Sequence, residues 1–345
     1  MGSTKFTAGS VNWRGVLEEN SRRTKWVIMT FLVIYVGLGC IVDMLMVMNQ
    51  YPQLTVEQAF QLLTHFEIFP YASVSMLTVA VIAIFITIKF NDKIMLMGTD
   101  SKEITSETAE SLQEKQLYNV IEEMKVAAGM RYMPKVYIIE ANYMNAFASG
   151  FSDKSAMVAI TRGLINKLNR QELQAVMAHE LSHIRHQDMK LTMMVAILSN
   201  LMLMVVDAVF YNLMFGGERS SDNGRGNILI PVIILLRYVL PLTTVLLMLY
   251  LSRTREYMAD SGAVELMREN ESLASALIKI SQDHDANQDT YASEYGQTKH
   301  EQFRSAAYIF DPKAFDHAKS IVNLFSTHPS LEDRLKAMGC ELDTK

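Results

Sequence analysis

The chain has 345 residues, of which half are apolar and only 20% charged, with 24 methionines and a formal net charge of −5. No long basic run is present, which argues against nucleic-acid binding, and no GxxxxGK[ST] stretch occurs, which argues against a nucleotide-driven machine. The two cysteines, Cys40 and Cys340, are too few and too far apart for a disulfide framework or a thiolate metal site.

Four stretches are long and apolar enough to cross a bilayer, which takes roughly 20 residues. They run over 26–48, 70–90, 191–215 and 228–251. The first has no small-residue cleavage pattern behind it and reads as a retained span. Residues 1–25 and a short polar loop, 49–69, flank the first span. The block 91–190 and the tail 252–345 read as soluble, and a tight polar loop, 216–226, closes the second hairpin. Within 91–190, Leu112, Leu117, Val120, Ile121 and Met124 recur at helical spacing, with Gly129 as the stop signal and Pro134 beyond it. "PKVYIIE" and "SAMVAIT" read as short strands. Between them, "ANYMNAFASGFSDK" has the composition of a turn or exposed edge. Residues 163–187 read as one helix. In the tail, helices are predicted over 253–268, 271–283, 314–324 and 329–338, whereas 284–312 is polar and without clear periodicity.

Basic residues set the orientation. Arg14, Arg22, Arg23 and Lys25 precede the first span, Lys89, Lys93 and Lys102 follow the second, and Arg253 and Arg255 follow the fourth, while the 49–69 loop has neither Lys nor Arg; Arg219 and Arg225 in the 216–226 loop weaken the bias there, and no stronger alternative offsets it. Both termini and both soluble blocks are therefore predicted on the cytoplasmic side. Asp43, Asp207 and Arg237 are charges inside spans and are expected to face the bundle interior. Asp207 and Arg237 lie about 25 and 21 Å along antiparallel helices from the same side, a match that permits a structural ion pair.

The chemistry is concentrated in "HELSH". His179 and His183 stand one helical turn apart, so both imidazoles can share a metal ion, and Glu180 can reach a water held there. A catalytic zinc site needs a third protein ligand and an open position. Glu256, Asp260, His186, Asp188 and His328 are the possibilities. Spans three and four form a hairpin, which brings "SRTREYMAD" beside the two histidines. Glu256 is the preferred third ligand, and Asp260, one turn on, would orient a ligand histidine through its free N–H.

"HELSH", "SRTREYMAD" and "STHPSLEDRL", in this order and with four spans, resemble the HtpX family of membrane zinc metalloproteases, related to the Ste24 and Oma1 peptidases. The resemblance runs from about residue 26 to about residue 338. It implies a mainly α integral membrane protein with four transmembrane helices, and a cytoplasmic zincin-like (gluzincin) α+β catalytic domain split into 91–190 and 252–345. One Zn2+ per chain would sit on His179, His183 and Glu256. The resemblance also makes 145–148, "NAFA", an edge strand that holds an extended substrate, with Asn145 near the scissile carbonyl. His328 would steady the oxyanion with Arg334 in support. The implied function is cleavage of misfolded or damaged membrane proteins at the bacterial inner membrane, with possible self-cleavage. The implied partners are polypeptide substrates and the lipid bilayer, with no nucleic acid and no nucleotide. Three other readings fit less well. A zinc scaffold without turnover has no use for Glu180, a transporter would need His/Asp pairs at mid-depth, and a CAAX prenyl protease would need more than four spans to enclose its chamber.

Overall fold

The computed structural model describes residues 13–215, 229–298, 304, 307–310 and 329–340. The chain divides into two compact units: Met1–Arg23, Phe90–Met193 and Met248–Lys345 form one, and Thr24–Lys89 and Met194–Leu247 form the other. In chain order the described elements are α1 (Trp13–Gln50), α2 (Val56–Thr64), α3 (Tyr71–Lys89), α4 (Asn91–Leu96), β1 (Ser101–Ile104), α5 (Leu112–Ala127), β2 (Lys135–Ile139), β3 (Ala146–Ser149) and β4 (Met157–Thr161). There follow α6 (Arg162–Lys167), α7 (Arg170–His186), α8 (Met189–Phe215), α9 (Leu229–Met267), α10 (Glu271–Ala286), α11 (Gln288–Gln297) and α12 (Leu331–Ala337).

The second unit is helical. Thr24–Gln50 of α1 and Tyr71–Lys89 of α3 are long and apolar enough to cross a membrane. Most large apolar side chains on α3 are exposed, Phe85 at 62% and Val81 at 50% among them, while Ala80 and Thr87 are buried. The third and fourth predicted spans fall on α8 and α9. On α8 the apolar stretch Met193–Ala208 is 16 residues long, and many α9 side chains lie outside the described residues, so the described residues carry two candidate spans and not the four predicted. Asp43 is buried and caps the start of α3, accepting from the Ala72 and Ser73 N–H groups at 2.8 Å each and from Ser73 Oγ at 2.7 Å. These are N–H groups that a helix leaves unpaired at its first turn. The Asp207–Arg237 pair closes at 2.9 Å, and the guanidinium lies 4.2 Å from the Phe210 ring centroid. The 49–69 loop contains a helix, because Thr55 and Gln58 form a reciprocal capping box at the start of α2.

The first unit is α+β. Its four strands are ordered β1-β2-β4-β3. β2 and β4 are parallel, Ile138 opposite Ile160, and β1 and β3 pair antiparallel on the two outer sides. β1, "SKEI", has one buried residue in four and was not legible from periodicity. The helix read over 163–187 is two helices. Asn169 takes an extended conformation, caps α7 and exchanges bonds with Glu172, which breaks the chain after α6. α5 ends as predicted, with Gly129 at φ +68°. The 253–268 helix is the end of α9, continuous with the stretch that precedes it. α11 occupies part of the polar tail, and 314–324 lies outside the described residues. α7 is buried along most of its length and packs on β3, α5 and α10. Buried Glu172 fastens α10, accepting from Ser275 Oγ at 2.6 Å and from Lys279 Nζ at 2.8 Å.

Candidate active site

The site is built where α7 and the last turns of α9 touch. Their approach is close because of Gly262. A Cβ there would lie 2.5 Å from Ser182 Oγ and 2.9 Å from Ser182 Cβ, so any larger residue would push α9 off α7. Glu256 and Asp260 lie about two turns and half a turn before that contact on α9 and meet the two histidines of α7.

His179 Nε2 and His183 Nε2 are 3.2 Å apart. Glu256 carboxylate oxygens are 3.7 Å from the first and 3.6 Å from the second. One ligand atom from each of the three residues fits within a 4.8 Å group, and all three residues are buried. Behind His179, Asp260 contacts Nδ1 at 2.9 Å. Arg334 grips Asp260 with both ends of its fork, Nε to Oδ2 at 2.9 Å and Nη2 to Oδ1 at 2.6 Å. Its Nη1 lies 3.7 Å from Glu256 and donates to the Ile309 carbonyl at 2.9 Å.

A sequence profile of Peptidase family M48 matches residues 111–340, the stretch that carries every one of these side chains. Curated relatives described as "Protease HtpX homolog" match at similar breadth. That of Helicobacter pylori (strain Shi470) is 40% identical over 328 residues, 95% of this chain and 98% of the relative. That of Streptococcus uberis is 29% identical over 327 residues, 93% and 97% of the two chains. The chain belongs to peptidase family M48. It is an HtpX-type membrane metalloprotease, and a metal cofactor goes with that family. Among solved structures, S. mikatae Ste24p matches with a TM-score of 0.45 and 20% identity, covering 91% of this chain and 65% of that one.

The residues present fit the metal of an M48 enzyme. Around an ion with bonds of about 2.0–2.1 Å, tetrahedral ligand atoms stand roughly 3.3–3.4 Å apart, and the separations here are 3.2, 3.6 and 3.7 Å. Both histidines turn Nε2 to the cluster and Nδ1 to a carboxylate, the arrangement that holds a ligand imidazole in one tautomer. His183 has Asp188 for this purpose, at 3.1 and 3.2 Å. Asp188, weighed from the sequence as a ligand, lies on the side of His183 away from the cluster. His186 lies outside the cluster and borders the Gly262 contact.

The Asp188 contact depends on the turn after α7. Gln187 is left-handed, φ +52°, and swings Asp188 back onto the helix that has just ended. Arg255, the residue before Glu256, donates to the Asp188 carbonyl at 3.0 Å and ties that turn to α9. Asp188→Asn keeps the shape but gives up the charge, and metal affinity is expected to fall about 10–100-fold. Chelator competition measures this; an unchanged dissociation constant would remove Asp188 from the metal's support.

Glu180 is fully buried, and neither carboxylate oxygen makes a hydrogen bond of full geometry, the Ala148 N–H acting on it only weakly. Burial pushes its pKa up to about 8; Glu256 adds to this, while His183, the Ala148 N–H and Arg334 oppose it. Burial works to lower the His183 pKa, but Asp188, Glu256 and Glu180 outweigh it and push the value up to about 9. Burial lowers that of His179 despite Asp260. Burial also works against the ionised forms of Asp188 and Asp260, but cationic partners keep both below the usual carboxylate range.

His183 and Glu180 both bind protons more tightly in the folded chain than in the unfolded one. The His183 contribution to stability is complete below pH 6.5 and is lost as pH rises through about 9. Glu180 acts in the same direction, from its ordinary 4.5 up to about 8. Below pH 6.5 the lowered value of His179 opposes this, so the metal-free protein is expected to unfold more readily as pH climbs from about 6.5 to 9. Metal affinity should rise across the same window, since binding must expel the His183 proton. Unfolding temperatures against pH, with and without chelator, check this; a flat curve for the chelated protein would contradict it.

Asn145 and Arg334 are also part of this unit. The Asn145 amide is wholly buried, donating to Tyr295 Oη and to the Phe310 carbonyl at 3.0 Å each. Its Oδ1 accepts from the Phe310 N–H at 3.3 Å and from the Ala146 N–H at 3.1 Å. His328 lies outside the described residues. Sequence reasoning did not find Gly262, Arg255 or the positioning contact of Asp188. A carboxylate just past the end of the HExxH helix was the available signal for the last.

Proposed function

We propose that the chain is a zinc-dependent endopeptidase of the bacterial inner membrane, with both termini and the active site on the cytoplasmic side, which cleaves misfolded or damaged membrane proteins, itself included. The observation that carries the reading is Glu180, a buried carboxylate without a hydrogen bond of full geometry beside a His–His–Glu cluster. A structural metal site has no use for such a group, whereas a hydrolase needs a base there. The orientation rests on the basic residues that flank the spans. Division into a membrane part, 26–90 and 191–251, and a catalytic part, 91–190 and 252–345, belongs to the same reading.

His179, His183 and Glu256 are assigned as ligands, with Asp260 and Asp188 orienting the imidazoles. The N/N/O ligand set favours zinc. When bound, zinc supplies Lewis acidity to the peptide carbonyl and acidity to water. Glu180 takes the proton of the attacking water and delivers it to the leaving amine. Arg334 holds Asp260 and steadies Glu256. Asn145 holds the main chain of a substrate lying on β3, and His328 is assigned to the oxyanion.

Purified protein, incubated with a detergent-solubilised model membrane protein, should cleave it with zinc and stop on addition of chelator. Binding without cleavage under both conditions would sink the reading and favour a scaffold.

A further inference from the structure

β3 is the last strand of the sheet, and its outer side is taken by the chain itself. Tyr308 bridges Phe147 antiparallel, and the Ile309 N–H donates to the Ala146 carbonyl at 2.9 Å. The next residue, Phe310, is held through both main-chain groups by the Asn145 amide. The Ile309 carbonyl accepts from Arg334 Nη1, the same nitrogen that lies 3.7 Å from Glu256. The segment thus shares Arg334 with a ligand of the metal cluster. Its main-chain N–H and C=O groups are satisfied by a strand edge, an amide and a guanidinium. These are the contacts by which a protein holds an extended peptide added to a sheet.

Its side chains are also received. Ile309 is 1% exposed and belongs to the apolar core, and Phe310 lies against the His284 ring with centroids 4.5 Å apart. Tyr308 packs edge-on to Phe147 at 5.6 Å and to Tyr295 at 6.1 Å. Further back, buried Arg304 donates to the Met95 and Met97 carbonyls at 3.2 and 2.8 Å and anchors the approach to α4.

We propose that Ala307–Phe310 is an internal strap that occupies the substrate cleft, and that a polypeptide substrate enters by displacing it from β3. The proposal rests on the proteolytic reading of the site and adds its regulation and its substrate chemistry. The displaced strap states what the cleft accepts: an extended segment with aromatic or branched apolar side chains in the places of Tyr308, Ile309 and Phe310. Folded proteins bury such segments, and unfolded ones expose them. A tethered strap competes at an effective concentration on the order of millimolar, so weak or folded ligands do not dislodge it.

The test uses the full-length zinc-loaded chain with Glu180→Gln, which binds without cutting, together with Cys40→Ser, Cys340→Ser, Phe147→Cys and Tyr308→Cys. Residues paired as 147 and 308 are stand about 4.5 Å apart at Cα in such a bridge, within the disulfide range of about 4.4–6.8 Å. The probe is a fluorescein-labelled peptide with the sequence of residues 304–312, "RSAAYIFDP". Reduced protein is expected to bind it at least tenfold more tightly than oxidised protein, and reduction should restore binding to the locked form. Equal affinity in the two states, or no binding in the reduced state, overturns the proposal. If the cysteine pair prevents folding, Phe310→Ala in the Glu180→Gln chain replaces it. Loss of the contact with His284 should raise peptide affinity severalfold, and unchanged or weaker binding overturns the proposal. A wild-type protein that binds the peptide but never cleaves any substrate would defeat the proteolytic reading and leave the strap standing.

Discussion

Glu180→Gln is expected to keep a full equivalent of metal and to lose cleavage by a factor of about 10²–10⁴, the range for removal of a general base. The substitution is nearly isosteric. The side chain is fully buried, and its oxygens have no hydrogen bond of full geometry to lose. It also removes a carboxylate that raises the pKa of His183, so the ligands should be disturbed little. Metal analysis and a cleavage assay on the same preparation separate the two functions. Proteolysis at the wild-type rate would exclude Glu180 as the base, and loss of the metal would make it a ligand or a support of one.

Glu256→Ala is expected to empty the site. Two imidazoles remain, but the carboxylate whose two oxygens stand 3.7 Å from His179 Nε2 and 3.6 Å from His183 Nε2 is gone, and a two-ligand site does not retain zinc through desalting. The variant also removes the weaker of the two buried anionic neighbours of Arg334, which keeps its paired contact with Asp260. Metal content below about a tenth of an equivalent, with cleavage lost to match, is the expected outcome, given that a full three-ligand set is what holds a catalytic zinc. A full equivalent in the variant would pass the third position to another residue. Asp260→Ala should be milder, about 10–100-fold in affinity, because it removes an orienting partner and leaves the ligand set whole.

Much of this site was legible because helical spacing is a strong constraint. His179 and His183 share a face by periodicity alone, and the hairpin argument placed Glu256 and Asp260 near them. The fold was legible where pattern is strong, as in α5 and the separate strands β2 and β4, though not in their parallel pairing. It was not legible in β1, whose alternation is too weak, or at Asn169, where a local cap overrides a helical run. Nor was the α2 helix, set by a capping box inside a polar loop. Asp188 and Gly262 were missed for a different reason. Both act through a neighbour that only tertiary packing supplies, a left-handed turn in one case and a helix contact in the other. The pairing of Tyr308 with Phe147 joins residues 161 positions apart, for which no local pattern exists.

The most direct test of the metal centre is X-ray absorption at the zinc edge on the purified wild-type protein. Two imidazole nitrogens and oxygen donors at about 2.0–2.2 Å, with no sulfur, are the expected result. A sulfur shell at about 2.3 Å, which would bring in Cys40 or Cys340, or a protein that takes up no zinc, would contradict the assignment of His179, His183 and Glu256.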